Sequence, residues 1–187
     1  MDISSTIQLI ILVILLGLSA FFSSSETALT TVNRIRMRSL AEEGNKRAAR
    51  VLQVTDDSAK MLSAILIGNN VVNLTASSLA TALALRIFGN AGAGIATGIL
   101  TVLILIFGEI TPKNYATINA ERLTLRYIPV FKFLMTIMTP VIFIINLFSR
   151  GVMRLMRVDP DAASKAMTEE ELRTIVDVSH EDGVIES

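Results

Sequence analysis

The chain has 187 residues, of which 51% are hydrophobic and 18% are charged, and it is more apolar than an average soluble domain. Because it contains no cysteine, disulfides, zinc knuckles and thiol catalysis are excluded, and its one histidine, His180, lies in a polar tail. The net charge is zero, but residues 1–158 carry 15 basic and 8 acidic side chains (net +7), whereas residues 159–187 carry 2 and 9 (net −7). We therefore expect an all-α integral membrane protein with an acidic tail.

The first apolar stretch spans about residues 7–22. No Lys or Arg precedes it, so it lacks the basic n-region of a cleaved signal peptide. Residues 33–60 follow it and carry seven basic side chains, namely Arg34, Arg36, Arg38, Lys46, Arg47, Arg50 and Lys60. The positive-inside rule therefore predicts an outside N-terminus and a cytoplasmic location for residues 33–60. Their charged and apolar residues alternate at roughly helical spacing, which predicts one or two amphipathic helices at the inner membrane surface. A plain cytoplasmic helical loop is the alternative.

Two further apolar stretches, residues 61–85 and 94–110, are separated by a short turn at residues 86–92. Lys113, Arg122 and Arg126 follow the second of them and mark the cytoplasmic side again. Together with the first stretch, they predict three transmembrane helices that run out to in, in to out and out to in.

The fourth apolar stretch, residues 127–148, does not fit a simple crossing. Basic residues flank it on both sides, and Pro129 and Pro140 interrupt it. Pro140 lies near its middle, where a proline removes a helix hydrogen bond. We therefore expect a half-inserted hairpin of two short helices that dips in from the cytoplasmic side. A fourth full crossing is the alternative, and it would place the acidic tail outside.

The tail, residues 158–187, is expected to form an acidic cytoplasmic helical segment after a transmembrane domain at residues 1–157. Thr168 and Glu171 fit a capping box, which predicts a helix beginning near residue 169. Because the sequence stops soon after Asp182 and Gly183 with no closing element, we expect the chain to be part of a longer protein.

Polar side chains recur on one face of each predicted crossing, although such groups are costly in lipid. Spacings of three or four residues place them on common faces: Ser19, Ser23, Glu26 and Thr30 on the first helix, and Asn69, Asn73 and Ser77 on the second. On the third, Pro112 has no N–H to donate to the carbonyl four residues back, which belongs to Gly108. We therefore expect a bare Gly108 carbonyl beside the Glu109 carboxylate, opposite the hydroxyl and amide oxygens.

A site built only from oxygen suits hard cations such as magnesium, calcium, manganese or sodium. One carboxylate with neutral oxygens can replace lost water without trapping the ion, which transport requires. These residues also have alternative roles: Ser and Gly can serve helix packing, and Asn can bond across helices. Glu109 can be a protonated structural acid or pair with Lys113. For Glu26 we expect a salt bridge to Arg34 or a neighbour rather than ion binding.

These residues resemble the transmembrane module of the CorC/cyclin-M (CNNM) family of magnesium transporters. The matching elements are LSAFFS at residues 18–23 followed by SSETAL at 24–29, Gly68-Asn69 with Asn73, and FGEITPK at 107–113. The resemblance covers roughly residues 5–157 and extends into the acidic segment.

The resemblance implies a homodimer in the lipid bilayer, whose subunits each have three crossing helices, amphipathic juxtamembrane helices and an inward-facing cavity. It implies that dehydrated Mg²⁺ is bound there by Ser19, Ser23, Asn69, Asn73, Gly108 and Glu109. Asn70 and Ser24 could substitute for a neighbour if the helices are rotated. It also implies that the acidic segment leads into a paired CBS domain that binds ATP, a region this chain does not contain.

We therefore expect residues 1–157 to form an ion-transport domain in the cell membrane that exports Mg²⁺ in exchange for Na⁺. An uncoupled Mg²⁺-conducting pathway and a non-transporting regulatory or assembly protein are the alternatives. We expect no enzymatic activity and no nucleic-acid partner. An intramembrane serine protease is excluded because Ser23 and Ser24 have no histidine base in the membrane and only Lys113 as a remote candidate.

Overall fold

The computed structural model describes residues 3–156, and the regular structure of that part is entirely helical. The first three helices are α1 (Ile3–Thr31), α2 (Arg34–Glu42) and α3 (Lys46–Asp56). A long helical run, Ser58–Ile104, is broken at Gly89, whose φ of +63° favours glycine. This break falls in the predicted turn and separates α4 (Ser58–Asn90) from α5 (Gly92–Ile118). The last helix is α6 (Ala120–Leu155).

Four of these helices, α1, α4, α5 and α6, are long and apolar enough to cross a membrane. They expose large apolar side chains such as Leu66, Leu74 and Ile95, as expected for helices surrounded by lipid, whose tails are as apolar as leucine. The predicted class, an all-α integral membrane protein, is confirmed, although the structure has four such helices rather than three.

The short helices α2 and α3 occupy the segment in which amphipathic helices were predicted. Each begins at an asparagine cap, because the side-chain oxygens of Asn33 and Asn45 accept backbone N–H groups of the first turn at 3.0 Å. Met37 of α2 and Val51 of α3 are buried in the main hydrophobic core, whereas most basic side chains of both helices are exposed. The two helices are therefore amphipathic, as predicted.

The helices α1 and α4 run antiparallel. Leu12 of α1 packs in one cluster with Ala80 of α4, whereas Phe22 of α1 lies against Gly68. Residue numbers therefore rise along α1 as they fall along α4. Small residues on α4 let the two backbones approach closely.

The helices α1 and α5 run parallel. The Ser19 hydroxyl on α1 meets the Gly108 carbonyl on α5, and two turns further along, Ala28 packs with Ala116. The directions of α1, α4 and α5 thus alternate, as three consecutive crossings require.

The predicted hairpin in residues 127–148 is not formed, because α6 continues through Pro129 and Pro140 as a single helix. Each proline removes only one backbone hydrogen bond, and the two prolines are about three turns apart, so the turns between them keep their own bonds. A hairpin also needs residues that favour a turn, whereas Thr139 and Val141, which flank Pro140, are β-branched.

The chain divides into two compact units within α6. The first ends at Ile142 and contains α1 to α5 and every predicted site residue. The second begins at Phe143, and its described part is the end of α6. The helix predicted near residue 169 lies outside the described residues.

Candidate cation site

Ser19 of α1 is fully buried and connects the three helices of the candidate site. Its hydroxyl donates a hydrogen bond to Asn73 Oδ1 of α4 at 2.6 Å and lies 3.2 Å from the backbone carbonyl of Gly108 on α5. Because a serine hydroxyl has one proton, it cannot donate fully to both acceptors. The shorter bond goes to Asn73, which leaves the Gly108 carbonyl weakly partnered. Three helices thus bring hydroxyl, amide and peptide oxygens to one point.

The two asparagines of α4 extend this set of oxygens by one turn. Asn73 Nδ2 donates to Asn69 Oδ1 at 3.3 Å, and both side chains are half-buried. The amide of Asn73 is therefore oriented at both ends, with its oxygen on Ser19 and its nitrogen on Asn69. Ser77, the next residue in this row, is exposed, and so is Asn70. The polar face of α4 in the site thus consists of Asn69 and Asn73.

The Gly108 carbonyl belongs to a π-helical turn of α5, Leu105–Ile110. At the end of this turn the Thr111 N–H bonds to the carbonyl five residues back, and the next residue, Pro112, has no N–H to donate. Such turns are rare in proteins overall, and those that occur are often found at functional sites. A Cβ at Gly108 would lie 2.9 Å from Ser19 Oγ. Glycine therefore allows the π turn to approach α1, a feature that sequence reasoning did not predict.

Ser23, one turn after Ser19 on α1, is fully buried, and its hydroxyl has no hydrogen-bond partner among the described residues. An unpaired buried hydroxyl costs about 1–3 kcal/mol, so such a group calls for a partner such as water or an ion. Ser24, by contrast, donates to the backbone carbonyl of Ala20 at 2.6 Å. Of these two hydroxyls, only that of Ser23 has no hydrogen-bond partner among the described residues.

Glu109 follows Gly108 in the π turn and takes part in a small ionic cluster. Lys113 Nζ lies 3.6 Å from Glu109 Oε1 on the same helix and 3.2 Å from Glu26 Oε2 on α1. All three side chains are only about a third exposed, at 35%, 35% and 38% respectively for Lys113, Glu109 and Glu26. One ammonium group therefore bridges two carboxylates at the end of the oxygen site.

The salt bridge expected for Glu26 is present, but its partner is Lys113 rather than Arg34. Arg34 Nη2 instead binds Asp56 Oδ1 at 2.7 Å. The reason is local: Arg34 begins α2, Asp56 ends α3, and these two helices pack against each other. A spacing of four residues on a helix links Lys113 to Glu109. No sequence pattern indicates the second partner of Lys113, because Glu26 belongs to a different helix.

The donor set defines which ions the site can take. Within residues 3–156 there is no group of three or more His, Cys, Asp or Glu side chains that could hold a metal ion. The six predicted ligands instead offer one carboxylate and neutral oxygens. Four of them, Ser19, Asn69, Asn73 and Gly108, are joined by hydrogen bonds. Hard cations that keep part of their hydration shell suit such a set better than transition metals do.

The sequence is similar to proteins of the UPF0053 and DUF21 groups. The sequence is 41% identical over 167 residues to a UPF0053 protein of Haemophilus influenzae, which covers 89% of this chain and 40% of that protein. It is 40% identical over 160 residues to the UPF0053 inner membrane protein YfjD of Escherichia coli, which covers 85% of this chain and 37% of that protein. It is 38% identical over 180 residues to a chloroplastic DUF21 domain-containing protein of Arabidopsis thaliana, and this alignment covers 96% of this chain and 27% of that protein.

The chain therefore spans two fifths or less of the length of these relatives. Residues 10–187 match the family described as the cyclin M transmembrane N-terminal domain, and that match includes every residue of the candidate site. Together with its four long apolar helices, this shows that the chain is a multi-pass membrane protein that belongs to the cyclin M (CNNM) transmembrane domain family.

Proposed function

We propose that this domain transports Mg²⁺ across the membrane through the oxygen site between α1, α4 and α5. The observation that carries the proposal is the convergence of the Ser19 hydroxyl, the Asn73 amide oxygen and the Gly108 carbonyl at the π turn. The buried, unpartnered hydroxyl of Ser23 lies one turn further along α1. Magnesium binds few carboxylates and keeps several waters, and the site offers one carboxylate, Glu109, beside neutral donors.

The position of the site supports transport rather than surface binding. Ser19 and Asn73 lie near the middle of helices that are long enough to cross a bilayer, and secondary transporters bind their ions near the midplane at irregular helix segments. The π turn of α5 is such a segment. Irregular backbone at that depth is tolerated where it lines a cavity or is buried in protein.

We further propose that transport is outward and coupled to Na⁺ entry. Sodium is also a hard cation that accepts hydroxyl, amide and carbonyl oxygens, so it can compete for the same donors. The basic residues of α2 and α3 favour a cytoplasmic location for the Lys113 end of the site, from which Mg²⁺ would enter. The Escherichia coli relative is described as an inner membrane protein, which supports a location in the cell membrane. The homodimer, the CBS pair and its ATP site stay predictions.

The test is Mg²⁺ flux in proteoliposomes, with and without an imposed Na⁺ gradient, for the chain and its Glu109→Gln variant. We expect Na⁺-dependent flux that falls about tenfold or more in the variant, since even outer partners of a metal site contribute that much to affinity. Glu42→Gln is the matched control, because it removes the same charge from an exposed position on α2 and should leave the flux unchanged.

The outcomes separate the candidate functions. Mg²⁺ flux that does not depend on the Na⁺ gradient but is lost in Glu109→Gln would favour an uncoupled pathway through the same site. Flux that is equal in Glu109→Gln and Glu42→Gln would remove the oxygen site from the transport path. No flux from well-folded protein would contradict the proposal that this domain is the transporting unit by itself.

A further inference from the structure

The ionic cluster of Lys113, Glu109 and Glu26 lies at one end of the proposed oxygen site and includes one of its proposed ligands, Glu109. We propose that Lys113 is a tethered competitor of the ion: its ammonium group holds Glu109 while the site is empty and moves wholly onto Glu26 when Mg²⁺ binds. This inference rests on the proposed function and assigns that site a built-in means of release. Glu26 is then the acceptor to which Lys113 retreats, rather than a ligand of the ion.

The distances support a movement in this direction. Lys113 Nζ is already nearer to Glu26 Oε2, at 3.2 Å, than to Glu109 Oε1, at 3.6 Å. A small rotation of the lysine side chain breaks the longer contact and keeps the shorter one. Lysine suits this task because its ammonium is a compact charge on a flexible four-carbon stem. The side chains are about a third exposed, so water can solvate whichever group is released.

The charges show why such a competitor matters. Glu26, Glu109 and Lys113 carry a formal net charge of −1, which becomes 0 with one Na⁺ and +1 with one Mg²⁺. Without Lys113 the same site would carry −2, and Mg²⁺ would neutralise it completely. Nearby opposite charges stabilise each other strongly where water is limited. Lys113 therefore weakens the binding of a divalent ion more than that of a monovalent ion, because repulsion grows with the charge of the ion.

The other charges near this end of the bundle have partners of their own. Arg34 binds Asp56 at 2.7 Å, and Arg36 Nε lies 3.7 Å from Glu121 Oε1. Neither arginine is paired with Glu26 or Glu109 in the described residues. Lys113 is thus the cation that the structure supplies to both carboxylates.

A purely structural role is the competing possibility, since the Lys113–Glu26 pair also ties α5 to α1. The two roles predict opposite effects of Lys113→Met on the affinity for Mg²⁺ and the same effect of Glu26→Gln. If the pair only holds the helices together, removing either partner loosens the site and weakens Mg²⁺ binding. If Lys113 competes with the ion, Lys113→Met strengthens binding, whereas Glu26→Gln leaves the ammonium with Glu109 alone and weakens binding.

The experiment is a Mg²⁺ titration of the full chain in lipid nanodiscs by isothermal calorimetry, for the wild type, Lys113→Met, Lys113→Arg, Glu26→Gln and Glu109→Gln. We expect the dissociation constant to fall about tenfold or more in Lys113→Met and to rise by a similar factor in Glu26→Gln, the effect that one adjacent charge has on a neighbouring ionic equilibrium. Lys113→Arg keeps the charge and should restore an affinity close to that of the wild type. Thermal melts of each variant show that it is folded.

The results also distinguish this inference from the proposed function. The tethered competitor is overturned if the dissociation constants of Lys113→Met and Glu26→Gln change in the same direction, or if that of Lys113→Met does not change. In either case, loss of Mg²⁺ binding in Glu109→Gln would still support the site. A wild type that binds no Mg²⁺, or a Glu109→Gln variant that binds as well as the wild type, overturns both.

Discussion

At the scale of single residues, only some polar groups of the candidate site have hydrogen-bond partners. Ser19 and the two asparagines satisfy one another, whereas the Ser23 hydroxyl is buried without a partner in the described part of the chain. The hydroxyl of Thr124 on α6 is likewise buried and unpartnered among the described residues. It lies on none of the three helices that form the site. Ser23 and Thr124 therefore allow stability and ion binding to be separated.

We expect Ser23→Ala to raise the melting temperature by about 2–4 °C, because it removes an unpaired buried hydroxyl worth roughly 1 kcal/mol. The same variant should lose Mg²⁺ flux, since it also removes a ligand. Thr124→Val is the matched control, and it should raise the melting temperature without a change in flux. Thermal unfolding in detergent and flux in proteoliposomes give the two readouts. A Ser23→Ala variant that keeps full flux would show that Ser23 is not a ligand.

At the scale of helices, the approach of α4 to α1 positions the asparagines. A Cβ added at Gly68 would overlap the ring of Phe22, and Asn69 is the next residue. We expect Gly68→Ala to destabilise the protein by about 1–3 kcal/mol through overpacking and to weaken Mg²⁺ binding by moving Asn69 away from α1. Adding Phe22→Leu to this variant should recover part of the loss.

The control for this prediction is Gly98→Ala on α5, where an added Cβ meets nothing within 4 Å. Alanine favours a helix over glycine by up to about 1 kcal/mol, so this variant should melt at the same temperature or higher. Equal melting temperatures for Gly68→Ala and the wild type would mean that the Phe22 ring moves aside without cost.

The sequence predicts the helices of the site well, because apolar runs and polar residues three or four positions apart depend only on helical periodicity. It also places the turn at Gly89. It does not predict the π turn, since Pro112 removes one bond but contacts with α1 decide how the helix accommodates the loss. Nor does it predict that α6 passes through Pro140, because a proline in a long apolar helix removes a single bond that the neighbouring turns can tolerate.

At the scale of the whole molecule, membrane sidedness links the site to the direction of transport. The chain contains no cysteine, so single cysteines can report sidedness without background. We expect Ile3→Cys and Asn90→Cys to react with a membrane-impermeant maleimide in intact cells, and Glu43→Cys to react only after permeabilisation, because basic residues surround it. Labelling in the opposite pattern would place the Lys113 end of the site outside and reverse the proposed direction.

The sidedness of α6 is a separate question, because its charges point away from a simple crossing although it is long and apolar enough to cross a membrane. Basic residues lie near both of its ends, Arg122 at the start and Arg154 at the finish. The positive-inside rule then favours a cytoplasmic location for both ends, which predicts that α6 does not cross the membrane. We therefore expect Met156→Cys to be labelled only after permeabilisation, like Glu43→Cys. Labelling of Met156→Cys in intact cells would instead establish a fourth crossing and place the acidic tail outside.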